Sequence, residues 1–358
     1  MHPALHTRAC ELFGIKYPIV QTGMGWVSGV HLTAATAAAG GLGILAAVTM
    51  SDEQMLTAVR EMRERTDAPF GVNLRPDQPD IAERVKALAR EGVKVVSFAG
   101  APTKDTVSRL HDAGVLCIVT VGMRRHAEKV AALGVDAVIA QGGEGGGHTG
   151  SVPTSLLLPQ VVDAVGADIP VLAAGGFHDG RGLVSALAYG ADGIAMGTRF
   201  LLTQESRVPE PVKRDHYLKA GVTDTVVTSA IDGRPQRVIR TPFVEALERQ
   251  SPWRRGVRIL RASTRMKELT GQSPLKAVRE GLAMRREQGL TWFQVASAIN
   301  VPLLIKAALV EGRPEAGVLP TGQVTGVVDD LPTVAELIER IIAEAESTLR
   351  RLESGKRP

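Results

Sequence analysis

Eight short runs rich in Val, Ile, Leu and Ala follow one another before residue 201: Ile19–Gln21, Leu42–Ala47, Phe70–Leu74, Val93–Ala99, Leu116–Val121, Asp136–Gln141, Pro170–Gly175 and Gly193–Phe200. None alternates apolar with polar positions, the pattern expected of strands buried on both faces of a parallel sheet. The segments between them carry helical spacing; residues 80–91 place Ile81, Val85, Leu88 and Ala89 on one face, and 104–113 and 126–133 behave alike. Three of these segments close on one motif, Glu91-Gly92-Val93, Ala113-Gly114-Val115 and Leu133-Gly134-Val135. Glycine stops the helix and valine opens the next strand. Eight strands, each followed by a crossover, predict an α/β chain closed as a (β/α)8 TIM barrel. A doubly wound open sheet is the competing arrangement, weakened because no G-x-G-x-x-G follows the first run.

After Phe200 the rhythm changes. Helical patterning over Pro274–Arg286 and Trp292–Ala308 leads to a glycine-punctuated loop, Gly317–Gly326, and then to an amphipathic helix over Val334–Leu352. The expected organisation is a barrel from 1–206 and 311–358, with 207–310 as a basic helical cap. The charge is lopsided: Arg249–Arg286 holds 11 of the 42 Lys and Arg residues but only Glu268 and Glu280 of the 38 acidic ones. Such a run is either a solvated helical face or a surface for a polyanion such as coenzyme A. Arg254, Arg255 and Arg258 beside Trp253 are the first candidates for phosphate and adenine contacts.

The chemistry concentrates at the ends of the predicted strands. In a TIM barrel the active site lies there, with phosphate beside strands seven and eight. The sixth run enters Gln141-Gly142-Gly143-Glu144-Gly145-Gly146-Gly147-His148. Five glycines in six positions bring backbone close to something flat or anionic. His148 then offers the side chain best suited to proton transfer near neutral pH. A glycine run alone can be a plain turn, but the later strand ends give it company. Gly175-Gly176 after the seventh run and Gly197-Thr198 in the eighth form an anion cradle of backbone N–H groups and one hydroxyl. Earlier strand ends contribute Gly23-Met24 and Asn73, where Asn73 can hydrogen-bond a heterocycle edge and Met24 can lie against a ring.

This ordered set resembles the nitronate monooxygenase (2-nitropropane dioxygenase-like) flavoproteins, whose cousins are the flavin-type enoyl-(acyl carrier protein) reductases. Gly23-Met24, Gly71-Val72-Asn73, Gln141–His148, Ala174-Gly175-Gly176 and Met196-Gly197-Thr198-Arg199-Phe200 carry the likeness, which extends over nearly the whole chain. The resemblance implies an FMN-binding barrel with the phosphate at Gly175, Gly176, Gly197 and Thr198. Gly23, Met24, Asn73, Gln141, Gly146, Gly147 and Gln323 of the late loop complete the cofactor set, and His148 matches the family's catalytic histidine. A closer likeness is to the actinobacterial steroid-catabolism branch, which acts on a hydroxylated methyl-indene acyl-CoA. Val20–Trp26, Gln141–Gly150 and Ala316–Val324 carry it. Thr22-Gly23-Met24 stands where nitronate enzymes usually have Ala-Pro-Met, and Gly145 where alanine is common, which counts against a small nitronate substrate.

The expected activity is therefore FMN-dependent oxidation or reduction of a ring-containing acyl-CoA, with His148 as general acid or base and NADH as redox partner. Nitronate oxidation with O2 is the alternative, and a non-catalytic flavin-binding barrel is a third. A homodimer is compatible with this reading. No metal site is expected. Aromatic residues make up 4% of the chain, too few for the stacking surfaces of single-strand nucleic-acid binders. No apolar stretch is long enough to span a membrane. The N-terminus lacks a signal-peptide core, and Cys10 and Cys117 read as reduced thiols, so a cytoplasmic location is expected.

Overall fold

The structure, a computed structural model, describes residues 1–78, 80–249 and 292–355. Eight parallel strands close into a barrel in the order β1 (Ile19–Gln21), β2 (Leu42–Ala46), β3 (Phe70–Leu74), β4 (Val95–Phe98), β5 (Leu116–Val121), β6 (Ala137–Gln141), β8 (Val171–Ala174) and β9 (Gly193–Met196). β7 (Gly147–His148) lies outside the barrel. The expected TIM barrel is present, and closure removes the exposed edges an open sheet would leave. The eighth predicted run divides: its first half is β9, while Thr198–Leu201 winds into a short helical turn after Gly197.

Both strand faces are buried, as the unbroken apolar runs required. Val20, Leu42, Ile44, Val95, Ile118, Ile139, Leu172 and Ala195 form the barrel interior. Ile19, Leu45, Val72, Val96, Val119, Val138 and Ile194 face the surrounding helices. Each such side chain contributes about 1.5–3 kcal/mol when fully withdrawn from water. The helices are α1 (Arg8–Phe13), α2 (Val30–Ala38), α3 (Asp52–Arg65), α4 (Ile81–Arg90), α5 (Lys104–Asp112), α6 (Arg124–Ala131), α7 (Thr154–Val165) and α8 (Gly180–Ala188). The α1 residues Ala9, Cys10 and Phe13 join the interior cluster. Thr7 and Arg8 bond Asp192, just before β9, so α1 plugs the N-terminal end of the barrel. That leaves the opposite end open.

The C-terminal helix, Val334–Glu353, begins with a Thr333/Glu336 capping box. It buries Leu337, Ile338, Ile341 and Ala345 and packs on α8 and α2. A Cβ on Gly180 would stand 2.4 Å from the Ala345 nitrogen, so only glycine lets α8 start this close.

The stretch 207–310 is not uniformly helical. Among the described residues it contains β10 (Thr225–Thr228) and β11 (Gln236–Ile239), an antiparallel pair to which β7 adds as a third strand. The cause is local: two β-branched runs flank a loop containing Asp232-Gly233, which is hairpin chemistry. The helix Trp292–Leu309 is present. Pro274–Arg286 and most of the basic run, with Trp253, Arg254, Arg255 and Arg258, lie outside the described residues. Arg249 is exposed and pairs with Glu245 at 3.5 Å.

Candidate active site

The open end of the barrel holds a cavity of about 1180 Å³. It brings together Gly23, Met24, Asn73, Gln141, Gly146, Gly147, His148, Gly175, Gly176, Gly197 and Thr198, from segments far apart in the sequence. Gln323 is placed differently: it does not line the cavity, though Thr321, Gly322 and Val324 do. Its backbone N–H donates to the Glu144 carbonyl at 3.0 Å, tying the late loop to the glycine loop.

Beyond β8, Gly175 and Gly176 have φ of +95° and +88°, the left-handed region that a side chain resists. This turn presents the Gly176 N–H with no partner among the described residues. Across from it Thr198 opens the short turn after β9, and its hydroxyl oxygen accepts the Gly322 N–H at 2.9 Å while keeping its own proton to donate. The two features form a cradle with unspent donors, the arrangement that receives a phosphate. Deeper in the cavity, the Asn73 amide donates to the Ser97 carbonyl at 3.1 Å, which orients its oxygen as an acceptor. The Trp26 indole nitrogen is buried, lacks a partner among the described residues, and belongs to a residue held at φ +66° on the cavity wall. Non-glycine residues held in this region cluster at active sites and ligand clamps. Cradle, acceptor edge and unpaired donor together fit a flavin mononucleotide.

His148 is fixed from several sides. It belongs to β7, whose Gly147 and His148 pair with Arg237 and Gln236 of β11. The Gln141 side chain donates to the His148 carbonyl at 2.9 Å. Arg237 donates to the Gly143 carbonyl at 2.9 Å and to the Thr225 hydroxyl at 2.9 Å, so the same hairpin clamps the glycine loop. Glu144 reaches the other way: its carboxylate accepts the Thr154 N–H at 2.9 Å and the Thr154 hydroxyl at 2.7 Å, capping α7. Gly145 makes room for this folding, because a Cβ there would stand 2.7 Å from the Gln141 amide nitrogen.

The residue that sequence reasoning missed is Asp232. Its Oδ2 lies 2.7 Å from His148 Nε2, and its side chain is only 3% exposed against 45% for His148. Burial pushes the Asp232 carboxyl up. The hydrogen bond and charge of His148, the Arg234 N–H and the Gln236 amide more than offset this and hold it below the usual carboxylate range. An ionised Asp232 can only accept, so Nε2 carries the donated proton and Nδ1 is left as the free ring nitrogen. Gln236, 3.2 Å from the same Nε2, directs its N–H to Asp232. Asp232 lies 84 positions from His148, and no spacing rule could have paired them.

Among the described residues, no group of three or more His, Cys, Asp or Glu side chains could hold a metal, and no helix is long and apolar enough to cross a membrane. Cys10 and Cys117 are free and buried. Burial, with some help from Asp136, pushes the Cys117 thiol up to about 12, so it is inert.

Comparison with known proteins agrees with this geometry. A family model described as nitronate monooxygenase matches residues 6–89 and 81–344. A (3aS,4S,5R,7aS)-5-hydroxy-7a-methyl-1-oxo-octahydro-1H-indene-4-carboxyl-CoA dehydrogenase of Mycobacterium tuberculosis is 54% identical over 347 residues, covering 97% of this chain and 98% of that protein. Among solved structures, FabK from Thermotoga maritima superposes with a TM-score of 0.78 at 35% identity over 97% of this chain and 98% of its own. A nitroalkane oxidase from Streptomyces ansochromogenes gives 0.73 at 31% identity over 96% and 99%.

Proposed function

This chain belongs to the nitronate monooxygenase family, a family of flavin oxidoreductases, and we propose that within it the protein is an FMN-dependent dehydrogenase or reductase of a ring-containing acyl-CoA. The observation that carries this reading is the likeness to the indene-carboxyl-CoA dehydrogenase, 54% identical along 97% of the chain. The substrate is a hydroxylated, methyl-substituted indane carboxyl-CoA, of the kind left from steroid C and D rings. NADH is the proposed redox partner.

Gly175, Gly176, Gly197 and Thr198 hold the FMN phosphate in this reading. Gly23, Met24, Asn73, Gln141, Gly146 and Gly147 surround the ring system, with Gln323 bracing the loop beside it. Bound FMN supplies hydride exchange at N5. The protein supplies geometry and the proton. The thioester acidifies the neighbouring C–H, and His148 takes that proton at Nδ1 in the oxidising direction or returns it in the reducing one. Asp232 holds the imidazole in the tautomer this requires and stabilises its charged form, as a carboxylate does behind a catalytic histidine elsewhere.

Nitronate oxidation with O2 is the second reading, favoured by the family itself. Thr22-Gly23-Met24 and Gly145 depart from the nitronate pattern and support the acyl-CoA reading over it. A turnover panel separates the two: acyl-CoA thioesters with NADH or NAD⁺ under anaerobic conditions, and alkyl nitronates in air. Redox turnover of a ring-bearing acyl-CoA without oxygen is the expected result. Turnover confined to nitronates in air would overturn the acyl-CoA reading.

A further inference from the structure

The cavity is larger than the roughly 300–1,000 Å³ typical of a single small-molecule site, and its charges are unevenly matched. Each carboxylate lining it is engaged: Asp77 by Arg75 at 3.0 Å, Glu144 by Thr154 and Asp232 by His148. His126, Lys129 and Arg234 also line it, and among the described residues their side chains have no hydrogen-bond or ion-pair partner. Among the described residues, the ionisable side chains of the wall that lack a partner are thus all basic.

Two of them share one element. His126 and Lys129 stand three positions apart on α6, hence on one face of the helix. Both are exposed. The nearest carboxylate in sequence, Glu128, is taken by Arg124 at 2.8 Å. α6 follows β5, and the cavity continues along this side past Thr103 and Gly100 after β4, and past Arg75 after β3. In the closed ring of eight strands, β3 and β4 stand opposite β8 and β9. The α6 rim stands nearer, between β5 and β6 with β6 alone separating it from β8, so the cationic rim and the proposed flavin phosphate cradle occupy separate parts of one opening.

We propose that the α6 rim, through Lys129 and His126, binds the phosphates of the ADP end of the coenzyme A thioester, so that the substrate enters over β3–β5 while FMN is anchored at β8–β9. The inference rests on the acyl-CoA reading above and assigns part of its recognition to residues outside the basic run 249–286. Two anionic ligands held at separate rims keep their phosphates apart, and each can direct its reactive end into the cavity that His148 lines. An ammonium supplies a point charge with three donors, suited to a mobile diphosphate near the surface.

The test uses the flavin-loaded full chain and the variants Lys129→Gln, Lys129→Gln/His126→Gln and Lys129→Arg. Dissociation constants are measured by calorimetry for coenzyme A, for pantetheine, which lacks the ADP end, and for NADH, with flavin content recorded for each variant. Loss of one phosphate contact corresponds to roughly a tenfold weaker affinity. The expected result is coenzyme A binding weakened about tenfold by Lys129→Gln and further by the double variant. Lys129→Arg should restore it, pantetheine binding should move by less than about twofold, and the wild-type affinity should fall with added salt. Equal coenzyme A binding by wild type and variants would overturn the rim assignment and leave the acyl-CoA reading standing. Loss of flavin would overturn it by giving the rim to the cofactor phosphate, and weakening confined to NADH by giving it to the dinucleotide. A wild type that binds no coenzyme A would overturn both the rim and the acyl-CoA reading.

Discussion

His148 Nε2 and Asp232 Oδ2 lie 2.7 Å apart although 84 positions separate the two residues in the chain. One is half exposed to the cavity and the other is almost wholly buried. A buried acceptor behind an accessible imidazole fixes which ring nitrogen faces solvent and which faces protein. The antiparallel pairing of β7 with β11 holds the contact, because it sets His148 directly opposite Gln236, four positions after Asp232.

His148→Ala is expected to keep its flavin and lose turnover by about 10²-fold or more, the usual scale for a positioned acid–base group. Asp232→Asn should lower kcat with KM little changed, since Asp232 acts through the imidazole. The double variant should be no worse than His148→Ala alone, because the two side chains work as one unit. Steady-state kinetics on the three variants decides this, and losses that multiply would separate the two residues.

The Asp232 carboxyl titrates below the ordinary range despite its burial. A depressed folded-state value contributes stability that is present above the unfolded value, about 3.9, and is lost as pH falls through the folded value. Thermal melts of wild type and Asp232→Asn should keep the wild type ahead from neutral pH down to about 4, with the gap closing only below that. A gap already closed at mildly acidic pH would show that the carboxyl is not held ionised.

The bound chromophore should be FMN and not FAD. Among the described residues, the cavity has one cradle built from glycine N–H groups and a hydroxyl, at Gly176 and Thr198, and the first strand is followed by no dinucleotide fingerprint. Chromatography of the yellow supernatant after denaturation reads the answer directly. Recovery of FAD, or of no flavin after reconstitution, would refute the assignment of these glycines.

Gly145→Ala tests why the glycine loop is so bare. The new Cβ would come within 2.7 Å of the Gln141 amide nitrogen and 2.8 Å of its Cγ. Gln141 must then swing away and release the His148 carbonyl. The lost hydrogen bond is worth about 1 kcal/mol, so the melting temperature should fall by roughly 1–2 °C, and kcat should fall with it as His148 loosens. An unchanged melting temperature and unchanged kcat would show that Gln141 does not position this strand.

The sequence by itself determined the barrel and the floor of the site. Strand runs such as Phe70–Leu74 and Leu116–Val121 are apolar on both faces, and the glycines at 92, 114 and 134 end their helices locally. Pattern alone therefore specifies a parallel sheet wrapped by helices. Gly175-Gly176, Gly197-Thr198 and His148 were legible for the same reason: a barrel dictates that strand ends converge, so their positions followed once the strands were counted. The pairing of His148 with Asp232, the grip of Arg237 on the Gly143 carbonyl, and the facing of Lys129 toward the same cavity as Gly176 were decided only by tertiary structure. Each depends on how β7, β10 and β11 pair across the chain, or on the order of the strands around the closed ring. Hydrogen bonds between distant segments leave no periodicity in the chain, since a single Asp or Arg in a loop satisfies any local pattern until the fold supplies its partner.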